Sequence, residues 1–107
     1  MSDAGADARR VEAVRLIRML AHARQVRIEA RVQSSLGDLD LDAEDVLECL
    51  CSLTVGEIRE EEPDETIPGK EVYVFRKRYQ ERLLYVKVSI RLPKDHDLKV
   101  LSFKSSK

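Results

Sequence analysis

The sequence contains no tryptophan, only two cysteines and only two histidines. Cys49 and Cys51 fall two positions apart inside a helical pattern. Their side chains then point to different faces, which suits neither a disulfide nor a shared metal. They read instead as small buried apolar residues. With His22 and His96 as the only histidines, no zinc-ligand spacing exists. No apolar run approaches the ~18 residues that span a bilayer. The start, Met1 to Asp7, lacks a secretory signal pattern. Repeats and low-complexity segments are also missing. The expectation is a cytoplasmic protein with no metal, no cofactor and no membrane contact.

What is present fits one domain over residues 1–107, with residues 1–5 expected to be disordered. Hydrophobic residues make up 43% and charged residues 36%. The net charge of −1 hides a segregation: +3 over residues 1–31, −11 over 32–69 and +7 over 70–107. Local field decides binding, so overall neutrality does not exclude a polyanion ligand. Solvated faces of opposite sign are the plainer reading of the same pattern.

The periodicity predicts a helix over residues 6–23, from Val11, Val14, Leu16, Ile17 and Leu20. His22 ends it, where a cation suits the dipole. Residues 26–29 alternate as a short strand, or else the first helix continues. Residues 34–38 read as a break, with turn residues and Gly37. Asp42 is an N-cap, with Asp45 three residues on and Leu41 set to staple against Val46. The helix it opens carries Val46, Leu47, Leu50 and Leu53, with Gly56 as its stop. Residues 57–62 extend into an edge strand, and 63–69 form a loop. Three strands follow, over 72–75, 84–90 and 100–104. They are joined by connections at 76–81 and 93–97. The fold class is α+β: two to three N-terminal helices packed on a C-terminal antiparallel sheet.

The middle strand alternates strictly. Leu84, Val86, Val88 and Ile90 point one way; Leu83, Tyr85, Lys87, Ser89 and Arg91 point the other. That is a half-buried strand showing a phenol and two cations to water. Tyr73, Phe75 and Phe103 read as core, and His96 as an exposed turn residue.

Gln25-Val26-Arg27, the 42–53 helix, Val72-Tyr73, Leu84-Tyr85-Val86-Lys87-Val88 and Val100-Leu101-Ser102-Phe103-Lys104 occur in a familiar order. Over residues 8–105 the pattern resembles the MqsR family of toxins. These are RelE-like, sequence-selective endoribonucleases of type II toxin–antitoxin systems. The resemblance implies a RelE-like fold, mRNA as substrate, growth arrest, and a cognate antitoxin as partner. A family tyrosine on the penultimate strand and a family lysine on the last strand match Tyr85 and Lys104. A family glutamine falls on Lys70, a change of residue type that could supply a catalytic cation. A family lysine falls at Arg59 or Glu60.

RNA cleaves itself when its 2′-hydroxyl is deprotonated and held in line with the adjacent phosphate. The protein then supplies geometry, positive charge for the transition state and a proton for the leaving oxygen. Lys104, Lys87 and Arg91 are the cations for that charge. Tyr85 could stack a base, donate a hydrogen bond or relay a proton. Lys87 and Arg91 are candidate phosphate binders. Arg76 and Arg78 could grip phosphates or merely keep a hairpin soluble, and Arg59 joins the RNA-binding set. Two rival readings use the same fold: a non-catalytic RNA- or protein-binding module, and a partner whose acidic 32–69 segment docks a basic protein.

Overall fold

The computed structural model describes residues 4–106. Three helices stand in the first half, a 3-10 turn lies just past the midpoint, and strands dominate the second half. Helix α1 spans Ala4–His22. The expected disorder of residues 1–3 lies outside the described residues, whereas Ala4 and Gly5 already belong to α1. Ala13, Val14, Leu16, Ile17, Leu20 and Ala21 form its buried stripe, at the three- and four-residue spacing of one helix face.

Strand β1 spans Val26–Ile28, so the first helix does not continue. Helix α2 follows at Ala30–Leu39 and runs straight through the expected break at 34–38. Val32 and Leu36, four residues apart, are both buried, and that burial outweighs the weak helix preference of two serines and a glycine. The chain turns instead at Asp40, which takes a left-handed conformation (φ 59°) and donates its N–H to Gly37 and Leu36 carbonyls.

Helix α3, Ala43–Cys51, opens as its sequence dictates. The Asp45 N–H donates to the Asp42 carboxylate at 3.0 Å, and the Asp42 N–H donates back to Asp45 at 2.9 Å. Val46, Cys49, Leu50 and Leu53 are buried against α1 and the sheet. The helix closes before Gly56, which lies within the 3-10 turn Val55–Glu57.

The strands are β2 (Ile58–Pro63), β3 (Glu71–Tyr79), β4 (Arg82–Ile90) and β5 (Leu98–Ser105). Their order in the sheet is β1-β5-β4-β3-β2. Pairings β2–β3, β3–β4 and β4–β5 are antiparallel, and β1 joins β5 in parallel. The fold is thus α+β with helices packed on one sheet, and β1 makes that sheet mixed. The β3–β4 turn is Gln80-Glu81 alone, both with positive φ (51° and 64°). Such a two-residue turn matches the twist of a hairpin. It leaves Arg76 and Arg78 in β3 rather than in a connecting loop.

One face of the sheet is the core. Leu84, Val86, Val88, Ile90, Tyr73, Phe75, Leu98, Val100 and Phe103 all lie at or near full burial there. Tyr79 ties this face to α3, its hydroxyl lying within hydrogen-bond reach of Asp45 (2.8 Å) and Glu48 (2.5 Å). Burial first, and then those two carboxylates, push the Tyr79 phenol well above its ordinary value. No helix among the described residues is long and apolar enough to cross a membrane.

Candidate nucleic-acid interface

The opposite face carries the candidate chemistry. Directly opposed residues on antiparallel strands share a face and sit close enough to touch. Tyr85 on β4 is opposed by Arg76 on β3 and by Lys104 on β5. The Lys104 ammonium stands 5.0 Å from the centroid of the Tyr85 ring, within cation–π range. One step along the sheet, Lys87 lies between Val74 and Ser102; one step the other way, Arg78 opposes Leu83. Arg76, Arg78 and Lys104 are exposed, while Tyr85 and Lys87 are half-buried.

Elsewhere the molecule matches many of its cations. Arg9, Arg10, Arg24, Arg27, Arg31, Lys70, Lys77 and Lys99 all enter ion pairs. Arg76, Arg78, Lys87 and Lys104 enter none among the described residues. Four cations around one phenol, without ion-pair partners among the described residues, create a local positive field on an otherwise acidic chain.

The remaining sequence candidates do not join this group. Lys70 lies just before β3, six residues along from Arg76 and so roughly 20 Å from the Tyr85 row at ~3.3 Å per residue. Its ammonium pairs with Asp95 at 3.3 Å and donates to the Asp97 carbonyl at 3.4 Å. The side chain is only 11% exposed, so this lysine pins the β4–β5 loop. Burial pushes the Asp95 carboxyl upward. Hydrogen bonds from the Arg91 and His96 N–H groups, Lys70 and the Asp97 N–H together outweigh that and hold it below its usual range. Arg91 is at the same end, its guanidinium 3.4 Å from the Pro68 carbonyl. Arg59 is on the outer strand β2 and donates to the Gly56 and Ile58 carbonyls at 2.8 and 3.2 Å.

Two features escaped the sequence. Ser89, on the open face by alternation, is fully buried, because the β2–β3 loop folds over that end of the sheet. Its hydroxyl donates to Asp64 at 2.5 Å, and Asp64 also accepts the Thr66 and Ile67 N–H groups at 2.8 and 3.1 Å. The Ser89 bond, helped by those N–H groups against the effect of burial, holds the Asp64 carboxyl below its ordinary value. Under this loop lies a cleft of about 320 Å³, bordered by Lys87, Lys99 and Leu101. A second cleft of about 220 Å³ leads from there past Ser102 to Lys104.

The second feature is a bulge in β5. Val88 opposes Val100 and Lys87 opposes Ser102, so Leu101 is the extra residue. Strict alternation sets Lys99 and Lys104 on opposite faces, and the bulge returns them to one. The register recovers Lys99, and the two clefts recover Arg31.

Burial pushes the Cys49 thiol up to about 12, and it raises that of Cys51 as well. Both are free. Among the described residues, no three of His, Cys, Asp and Glu are grouped so as to hold a metal ion. No protein-family model matches the chain, and no curated protein matches it either.

Proposed function

We propose that this protein is an mRNA endoribonuclease toxin similar to the MqsR family, acting in the cytoplasm and neutralised by a cognate antitoxin. The observation that carries the reading is the row Arg76–Tyr85–Lys104 on an open sheet face, with Lys104 over the phenol ring. In this reading single-stranded RNA lies across the row. Its 2′-oxygen attacks the neighbouring phosphorus and the 5′-oxygen departs, leaving a 2′,3′-cyclic phosphate and a 5′-hydroxyl. The proton lost by the 2′-hydroxyl balances the one gained by the leaving oxygen. Lys104 and Arg76 offset the charge that builds on the phosphoryl oxygens. Tyr85 stacks on a base or donates its hydroxyl to the reacting phosphate. Lys87 and Arg78 hold the flanking backbone.

The test is incubation of purified protein with a long mRNA in the presence of a chelator, followed by mapping of the 5′ ends. Discrete cuts are expected from the wild type. Tyr85→Ala and Lys104→Ala are each expected to cut at least ~100-fold more slowly while keeping the wild-type circular dichroism. Full activity in both variants would sink the assignment.

A second reading, a non-catalytic RNA-binding module, draws on Lys70, where the chain departs from the family glutamine and the lysine that replaces it is occupied by Asp95. It expects salt-sensitive binding and no cuts.

A further inference from the structure

We infer that the two clefts beside the Tyr85–Lys104 pair form a continuous track for one further nucleotide of a single-stranded RNA, with Arg31 at its waist. The inference rests on the ribonucleic-acid reading of the Tyr85 row and extends it to residues outside that row.

The clefts are contiguous in their lining. Arg31 and Leu101 border both of them, and Lys104 closes the smaller one. A strand leaving Lys104 therefore passes Ser102 and Arg31 before it reaches the larger cleft. That cleft, at about 320 Å³, is at the lower end of small-ligand pockets.

Its two sides differ in charge. Lys87, Lys99 and Arg31 come from β4, β5 and the first turn of α2. Glu62, Asp64 and Glu65 come from the other side, at the end of β2 and in the loop after it. Neither of these two glutamates enters an ion pair among the described residues. Val72 and Leu101 supply an apolar surface between the sides. A nucleotide has the complementary polarity: an anionic phosphate, a flat apolar base, and N–H donors on the edge of that base.

The cationic side also receives the start of α2, which has no side-chain cap. Its N–H groups add a positive dipole end to Arg31. Glu29 lies between Arg31 and Lys99, at 3.5 and 3.6 Å. These pairs are loose, and a phosphate can compete for both cations. On the acidic side, carboxylates accept hydrogen bonds, so adenine, cytosine and guanine, with exocyclic amino groups, are held better than uracil.

The experiment compares short RNA substrates with versions lengthened by one nucleotide at either end. The readout is the ratio of kcat/KM for long over short within each protein. For the wild type, lengthening at one end is expected to raise kcat/KM about tenfold, and lengthening at the other end to do less. Arg31→Gln and Leu101→Trp are expected to bring that ratio close to one. Arg31 has a 76% exposed side chain, so its replacement leaves the fold intact even where a tryptophan at 101 does not. An added uridine is expected to give a smaller gain than an added adenosine. A ratio unchanged in Arg31→Gln, or absent from the wild type at both ends, would overturn the track. Equal gains from uridine and adenosine would overturn the role of the acidic side.

The same ratio is measured in binding, by anisotropy of labelled oligonucleotides. A protein that binds with the expected ratio yet never cuts would refute the ribonuclease reading and uphold the track. A protein that binds no RNA would refute both.

Discussion

Lys70, just before β3, and Lys104, on β5, carry the same charge and do different work because of their neighbours. Lys104 faces a phenol and solvent; Lys70 faces Asp95 and a backbone carbonyl. Lys70→Met is therefore expected to destabilise the fold by on the order of 2 kcal/mol, the size of a lost charged hydrogen bond with its partner left behind. Cutting at 25 °C is expected to persist. Urea unfolding measures the first effect and the mRNA assay the second, and loss of cutting in a folded Lys70→Met protein would return this lysine to the active group. Sequence could not separate the two lysines, because the partner that occupies Lys70 lies 25 residues away in the chain. Tyr85 and Lys87 were legible for the opposite reason: alternation within a single strand fixes the face of each. Ser89 obeyed the same alternation, and a loop covered it.

At the scale of elements, local chemistry foretold what local chemistry controls. The N-terminus of α3 was legible from Asp42 and Asp45, since a capping box needs only residues three apart. Asp42→Ala removes that reciprocal pair and is expected to cost about 1 kcal/mol, read as a lower thermal midpoint with unchanged helix content after refolding. Helix α2 was not legible, because Val32 and Leu36 hold it to β5 through burial, while Ser34, Ser35 and Gly37 argue locally for a turn. The β5 bulge was equally hidden. It depends on how Val100 and Ser102 meet β4, and nothing within β5 itself announces it. The parallel β1–β5 pairing was out of reach too, as it joins residues 26–28 to 98–100.

For the whole molecule, charge is the lever. If Arg76, Arg78, Lys87 and Lys104 each neutralise one phosphate, the slope of log affinity against log salt is expected near about −3, at ~0.7 per phosphate on a single strand. Titrations between low and physiological salt measure it, and a flat response would remove this face from RNA binding. Acid acts through other groups. Asp45, Asp64 and Asp95 are all held below their ordinary values, by N–H and hydroxyl donors and, for Asp95, by Lys70 as well. A carboxylate depressed in the folded state stabilises it fully above the unfolded value of about 4, and that gain is lost as pH falls through the folded value. Thermal midpoints are expected to be level from pH 7 to about 5 and to drop below 4. Asp95→Asn should flatten that drop, and an unaltered acid limb in this variant would place the sensitivity elsewhere. The position of β5 between β1 and β4 also imposes an order of events in time. During synthesis α1, β1, α2 and α3 leave the ribosome long before β5 does, and β1 has no partner until it arrives. Lys104 is carried by β5, so the charged row is completed only when this strand inserts. A nascent chain that has not yet inserted β5 therefore lacks the assembled Tyr85–Lys104 pair.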